Sequence, residues 1–196
     1  ANTSSSNVQL DTTPANFNST APVFLPTREL ATLAPWFVSL YDHYNIEFEE
    51  TWYDTVSLLG APTMRGPRDA RVATLITPLE EALQGHVEVD NNTGRFYVRM
   101  PGRGRLEIVL VAEGLRKIAM LARLITSDTL FEQGYLFWDE PEANLNPRLI
   151  KIIGKTIMHL AQFGIQVFIA THSLFLLREL ELLADTAEFS VVPARY

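Results

Sequence analysis

Two carboxylates that directly follow a run of large apolar residues are the strongest chemical signal in the sequence. The run covers residues 135–138 (YLFW), and Asp139 and Glu140 come next. A short, aromatic-rich run without alternation is typical of a strand buried on both faces, as in a parallel sheet. Because adjacent strand residues point to opposite faces, the two acids can take different roles. One can hold a divalent metal while the other orients a water molecule.

A second apolar run ends in side chains that could act beside these acids. Residues 166–170 predict another buried strand, and Thr171, His172 and Ser173 follow it. Parallel strands end at one edge of a sheet, where open α/β sheets bind ligands, so a neutral imidazole there could reach a phosphate or a water held by the acids. Taken separately, the acids could simply cap a following helix, and the histidine could be a packed residue at a strand end.

Together the two runs resemble motifs of a known family. LFWDEPEANLNP and VFIATHS are similar to the Walker B motif with its D-loop, and to the H-loop, of ABC-type ATPases. Within that group they resemble the SMC-like AAA-family ATPases, a kind often found in bacterial anti-phage systems. The resemblance implies ATP and Mg²⁺ as cofactors. It also implies that Asp139 holds the metal, Glu140 activates the attacking water, and His172 contacts the γ-phosphate.

The same resemblance implies a second set of nucleotide-facing residues at a dimer interface. They are Ala112, Gly114, Arg116, Asn144 and Asn146. The first three lie in a segment similar to the ABC signature motif, which contacts the partner's γ-phosphate in a head-to-tail homodimer. A glycine at a helix start leaves backbone N–H groups open to an anion. Ala112 departs from the family pattern, which usually has a serine there, and Glu113 adds an acid.

One motif of the family does not occur in the 196 residues. The phosphate-binding loop reads G-x-x-x-x-G-K-S/T, and its backbone cradles the phosphates. The chain has a single Gly-Lys-Thr, at residues 154–156, but Leu149 stands where the earlier glycine is required, and the triplet lies in a predicted amphipathic helix. We therefore expect the chain to be the C-terminal part of an ATPase, inactive alone. The alternative is a lobe that no longer binds nucleotide.

The composition limits the possible classes of function. Hydrophobic residues make up 47% and charged residues 20% of the chain, as in an ordinary globular domain. The absence of cysteine excludes disulfides and Cys-ligated zinc, and the net charge of −7 argues against an extensive nucleic-acid-binding surface. The apolar runs are too short to span a membrane and no signal peptide is recognisable, so we expect a cytoplasmic protein.

The fold class predicted from these patterns is α/β, with the parallel-sheet core of the C-terminal lobe of an ABC-type ATPase. Residues 1–22, rich in Ser, Thr and Asn, predict a disordered tail or linker. Residues 23–85 predict a mainly helical segment with one strand at 23–25, and residues 86–196 predict the α/β lobe. That lobe is expected to open with a β-hairpin at 86–100, continue with a strand at 106–111, and close with a strand near 188–192.

Two other functions remain open at the level of sequence. A non-hydrolysing dimerisation or partner-docking module would account for Ala112 and for the missing phosphate-binding loop. A metal-dependent nuclease would use Asp139, Glu140 and Glu142, and it requires a further carboxylate that the sequence does not obviously offer. For the ATPase, a nuclease partner and DNA are compatible additions to ATP and a second copy of the chain.

Overall fold

The computed structural model describes residues 22–44, 46–63 and 69–193. The tail predicted at 1–22 therefore lies, apart from residue 22, outside the described residues. The elements in chain order are β1 (Val23–Leu25), α1 (Ala34–Tyr44), α2 (Glu50–Leu59), α3 (Ala70–Leu83), β2 (His86–Val89), β3 (Phe96–Met100), β4 (Gly104–Glu107), a 3₁₀ turn (Ile108–Leu110), α4 (Glu113–Thr126), α5 (Thr129–Gln133), β5 (Tyr135–Asp139), α6 (Pro147–Gln162), β6 (Gln166–Ala170) and α7 (Leu174–Ala184).

A three-stranded parallel sheet confirms the predicted α/β class. Its order is β1-β5-β6, so the first described strand lies beside a strand more than a hundred residues later. The register places Phe24 opposite Phe137 and Phe137 opposite Phe168. All three strands run in the same direction, and their carboxyl ends therefore meet at one edge of the sheet.

The two faces of this sheet are not equally covered. Leu136 and Trp138 of β5 are buried, whereas Phe137 is 39% exposed. On β6, Phe168 is 41% exposed, and its ring stacks on that of Phe137 with centroids 4.6 Å apart. The expectation that β5 is buried on both faces is therefore wrong. A short aromatic run does not encode how many faces are covered, and the described helices bury only the alternate residues of β5.

A separate antiparallel sheet, β2-β3-β4, confirms the predicted hairpin. The strand predicted at 106–111 is wrong in its bounds: it begins at Gly104, ends at Glu107 and pairs antiparallel with β3. Gly104 has a φ of +91° and closes the preceding turn, so pairing starts at once. Beyond Glu107, Arg116 binds the carbonyls of Val109 and Val111, which removes these acceptors from any strand ladder.

The segment predicted to be mainly helical, residues 23–85, contains helices α1, α2 and α3. Helix α1 begins at Ala34, because Pro35 fits the first helical turn and residues 31–33 form a turn of their own. Helix α6 begins at Pro147 after the cap Asn146, whose side chain accepts from the Leu149 amide at 3.0 Å. The short helix α5 was not predicted.

The closing strand predicted near 188–192 is wrong, because these residues form turns. The Phe189 amide donates to the Thr186 carbonyl, and the Val192 amide donates to the Phe189 carbonyl. Phe189 itself is fully buried and packs edge-on against the His159 ring at 4.8 Å. The apolar residues of the segment thus anchor a turn on α6 instead of extending a sheet.

One hydrophobic core joins the elements of the described chain, and it includes residues from both the 23–85 segment and the later lobe. Helix α2 packs on β1, α3 on α4, and α6 on both β6 and α7. No helix among the described residues is long and apolar enough to cross a membrane.

Candidate functional site

The two acids and the histidine meet at the carboxyl edge of the parallel sheet. Asp139 is the last residue of β5 and pairs with Ala170, the last residue of β6. The Glu140 amide donates to the Ala170 carbonyl at 2.8 Å, which fixes the chain just beyond both strands. His172 Nδ1 lies 3.0 Å from Glu140 Oε1. The sequence-based expectation that strand order brings these residue types together agrees with this geometry.

The third strand also contributes to Asp139. Thr27, just beyond β1, donates its hydroxyl to Asp139 Oδ2 at 2.7 Å. Asp139 Oδ1 has no hydrogen bond or ion pair within the described ranges. A carboxylate oriented through one oxygen, with the other open, fits a hard cation such as Mg²⁺, which takes one or two protein carboxylates plus phosphate and water oxygens. Sequence reasoning missed Thr27, although the end of a neighbouring parallel strand was the place to look.

Glu140 has an unusual backbone. Its φ of +45° lies in the left-handed region, which non-glycine residues rarely adopt. The Glu140 carbonyl accepts from Lys117 Nζ at 2.9 Å and from the Ala143 amide at 3.0 Å. With its amide bound to Ala170, both backbone polar groups of Glu140 are therefore occupied.

A third carboxylate, that of Glu142, lies close to Thr171 and His172. It is only 8% exposed, and its Oε1 accepts from the Thr171 hydroxyl at 2.6 Å. The same oxygen is 4.0 Å from His172 Nδ1, whereas Oε2 is buried with no hydrogen-bond partner among the described residues. A buried carboxylate oxygen without a partner is costly, so Glu142 Oε2 can accept a hydrogen bond that the described residues do not supply.

Lys117 of α4 is the buried cation of this region, with 2% exposure. Burial lowers the pKa of the Lys117 ammonium to about 8, and the negative charge of Glu142 opposes that shift most strongly. Among the described residues, no group of three or more His, Cys, Asp or Glu side chains is arranged to hold a metal ion.

The signature-like segment and the D-loop segment meet at a separate cavity of about 380 Å³. Its lining includes Ala112, Gly114, Asn144, Asn146 and Arg148. A Cβ at Gly114 would lie 2.5 Å from the Asn144 carbonyl oxygen, so a glycine is required for this close approach. Four of the five residues expected to face nucleotide thus line one cavity. Arg148, which sequence reasoning missed, joins them as an exposed cation.

Arg116, the fifth residue expected to face nucleotide, is committed to internal contacts. Its Nε donates to the Val111 carbonyl at 2.6 Å and its Nη2 to the Val109 carbonyl at 2.8 Å. Its Nη1 lies 3.4 Å from the buried Glu29. Arg116 therefore stabilises the segment before α4 and does not line the cavity. A sequence motif cannot distinguish an arginine that binds phosphate from one that binds its own loop.

The Gly-Lys-Thr triplet at 154–156 is not a phosphate-binding loop. It lies in the interior of α6, where Gly154 faces the Glu179 side chain and the Thr156 hydroxyl donates to the Ile152 carbonyl. This agrees with the sequence-based exclusion, since a phosphate-binding loop connects a strand to the start of a helix.

Comparison with known proteins assigns the chain to a family. A family model described as "AAA domain, putative AbiEii toxin, Type IV TA system" matches residues 19–178. The chain therefore belongs to this AAA domain family, and the AAA-family membership indicated by its motifs is confirmed.

Two solved structures are similar to the chain. One is an SMC head domain from Thermotoga maritima, with a TM-score of 0.45, 13% identity, and coverage of 80% of this chain and 46% of that one. The other is an Smc head domain from Pyrococcus furiosus bound to the C-terminal domain of ScpA, with a TM-score of 0.43, 13% identity, and coverage of 56% and 30%. The chain thus spans less than half the length of either structure. A comparison with curated proteins finds no match.

Proposed function

We propose that this chain forms the hydrolytic half of an ABC- or SMC-like ATPase site, which cleaves the β–γ phosphoanhydride of ATP. The observation that carries the proposal is the meeting of Asp139, Glu140 and His172 at the ends of β5 and β6, with His172 Nδ1 3.0 Å from Glu140 Oε1. Membership of an AAA domain family supports a nucleotide as the substrate.

Asp139, Glu140 and His172 would have different roles in the attack of water on the γ-phosphate. Asp139, oriented by Thr27, would hold Mg²⁺, usually through water. When bound, the metal neutralises charge on the phosphate oxygens. Glu140 accepts a proton from the attacking water as general base. His172, which is 79% exposed at its side chain, is free to contact the γ-phosphate oxygens while its Nδ1 stays near Glu140.

We further propose that the cavity around Gly114 and Asn144 faces a second copy of the chain. Arg148 and the N-terminus of α4 supply positive charge at this cavity, while Glu81 in its lining and Glu113 in the first turn of α4 oppose it. The positive charge suits an anionic phosphate of the partner's nucleotide. ATP would close such a head-to-tail homodimer and hydrolysis would reopen it. The family description, which includes a toxin of a Type IV TA system, favours anti-phage defence as the setting.

The phosphate-binding loop is a separate requirement, because the 196 residues contain no such motif. We propose that it comes from another segment or chain that covers the open face of the parallel sheet. The exposed pair Phe137 and Phe168 supports this, since a stacked aromatic face suits a packed helix better than water. The same exposed face favours the second candidate function, a docking module that hydrolyses nothing.

The decisive experiment replaces Glu140 by Gln in an ATPase that combines this chain with its phosphate-binding loop. We expect kcat for ATP to fall by about 10²–10⁴-fold, because a positioned general base contributes that much. Binding of Mg-ATP should be retained, since the amide preserves the shape of the side chain. The matched control is Glu88→Gln on β2, which removes a carboxylate far from the sheet edge and should leave kcat unchanged.

The outcomes separate the two functions. If Glu140→Gln retains wild-type turnover, the general-base assignment is wrong. If the wild-type assembly binds partner or dimerises but hydrolyses no ATP, the docking module replaces the ATPase.

A further inference from the structure

A buried lysine on α4 holds the backbone of Glu140. Lys117 is 2% exposed, and its ammonium donates to the Glu140 carbonyl at 2.9 Å. A cation with so little contact with water requires strong acceptors, and this carbonyl is the hydrogen-bond acceptor that the described structure gives it. This bond links helix α4 directly to the backbone of Glu140.

The conformation of Glu140 explains why such a partner is needed. A left-handed φ in a non-glycine residue is unfavourable and persists where surrounding contacts hold the backbone in place. Here the Glu140 amide is bound by Ala170, and its carbonyl by both Lys117 and the Ala143 amide. The Lys117 bond is the only one of the three that reaches Glu140 from helix α4.

Helix α4 contacts both ends of the segment 140–144. Glu140 and Asn144, the two ends, both have a positive φ, +45° and +63°. At the first end Lys117 binds a carbonyl. At the second, the Gly114 backbone lies so close to the Asn144 carbonyl that a Cβ would be 2.5 Å from it. Lys117 and Gly114 are less than one helical turn apart, so one rigid turn fixes both ends of the segment.

We propose that Lys117 is a positioning residue for Glu140: its bond to the Glu140 carbonyl keeps the residue left-handed and so aims the carboxylate at His172. The inference rests on the proposed role of Glu140 as general base. It adds that the signature-like turn of α4 controls that base directly, through a side chain three residues after Gly114.

The first test uses this chain alone and does not depend on ATP hydrolysis. In Lys117→Met the apolar side chain fills most of the same volume but donates nothing. We expect the intraresidue amide–Hα nuclear Overhauser effect of Glu140, which is strongest at positive φ, to weaken towards the value typical of negative φ. If Lys117→Met does not fold, Lys117→Gln carries the same expectation, because its shorter amide cannot reach the carbonyl.

The matched control is Arg123→Met, which also removes a buried cation from α4. Arg123 is 5% exposed and donates to the Leu59 carbonyl at 3.0 Å and to the Ala61 carbonyl, at the end of α2. We expect this variant to lose stability without changing the Glu140 signal. If the Glu140 signal is the same in Lys117→Met as in the wild type, the inference is overturned. It is also overturned if Arg123→Met changes the signal equally.

The second test measures ATP turnover in the assembly that contains the phosphate-binding loop. We expect Lys117→Met to lower kcat by about 10²-fold with an unchanged KM for ATP, because a misplaced base slows the chemical step without weakening binding. Glu140→Gln serves as the reference. If it leaves turnover intact, the proposed function fails. If it abolishes turnover while Lys117→Met retains wild-type kcat, only the positioning role of Lys117 fails.

Discussion

The two sheets of the molecule differ in how far their acidic side chains are paired with cations. In the antiparallel sheet, Glu88 is bound by Arg99 at 2.5 Å and by Arg105 at 3.3 Å, and Glu107 is bound by Arg95 at 2.7 Å. Arg99 lies on β3 and Arg105 on β4, and Arg95 directly precedes β3. These pairs are partly exposed and stabilise the sheet by a small amount.

At the edge of the parallel sheet, acids outnumber the cations that could balance them. Asp139, Glu140 and Glu142 share one exposed histidine and one buried lysine, and an oxygen of Glu142 is buried without a partner in the described structure. The charged pairs of the antiparallel sheet stabilise the fold, whereas the excess of acid at the parallel-sheet edge supports the proposed ligand site, because clustered carboxylates with few counter-charges are typical of functional sites.

The largest effect that would sharpen this contrast is on the pH dependence of stability. The pKa of Lys117 falls from 10.5 in the unfolded chain to about 8 in the fold. Between these values the unfolded state binds more protons, so the free energy of unfolding should rise with pH, by about 3 kcal/mol at most. Urea unfolding of the wild type and of Lys117→Met at pH 7.5 and 10.5 measures this rise by difference. A wild-type advantage that does not grow with pH would contradict it.

A smaller effect is expected from Gly114→Ala. The new methyl would lie 2.5 Å from the Asn144 carbonyl oxygen and 3.1 Å from Leu145 Cδ2, and backbone cannot yield as a side chain can. We expect a loss of about 2 kcal/mol in the free energy of unfolding, measured by chemical denaturation.

The control for that variant is Gly154→Ala in α6. Its nearest neighbour would be the flexible Glu179 side chain, with Cγ at 3.2 Å, and alanine favours the helix. We expect its stability to equal or exceed that of the wild type. Equal losses in the two variants would remove the distinction between a contact required by the site and an ordinary helix glycine.

The smallest effect is expected in the antiparallel sheet. Arg99 lowers the pKa of the Glu88 carboxyl below its usual 4.5 by hydrogen bonding to the ionised form. Its contribution to stability is therefore present above pH 4.5 and lost as pH falls through the folded-state value. Glu88→Gln should cost about 0.5 kcal/mol at pH 7, less in high salt, and nothing at pH 2 in thermal unfolding. If Glu88→Gln lowers the free energy of unfolding as much as Gly114→Ala does, the proposed difference between the two sheets is wrong.

The sequence predicted the elements that carry strong periodicity. The hairpin at 86–100 followed from strict alternation around a Gly-containing turn. The grouping of Asp139, Glu140 and His172 followed from one rule, that parallel strands end at one edge. These features depend on local patterns or on a single topological inference, and both can be read from residue order.

The remainder depended on tertiary contacts that no local pattern encodes. Thr27 lies at the site because β1 pairs with β5, and the residues around Thr27 do not predict that pairing. Lys117 was not among the residues predicted for the site, yet its ammonium binds the Glu140 carbonyl, whereas the neighbouring Arg116 binds the carbonyls of Val109 and Val111. The strand predicted at 106–111 ends at Glu107, because the Arg116 guanidinium binds the carbonyls of Val109 and Val111.

The contact between Thr27 and Asp139 joins residues 112 positions apart. Closing so long a loop is entropically slow, and parallel pairing offers no hairpin turn to shorten it. Local units such as α6 and the β2–β3 hairpin can form before it, but the orientation of Asp139 cannot. The arrangement that would receive a metal is therefore among the last parts of the molecule to assemble, and a partly folded chain has no means of presenting it.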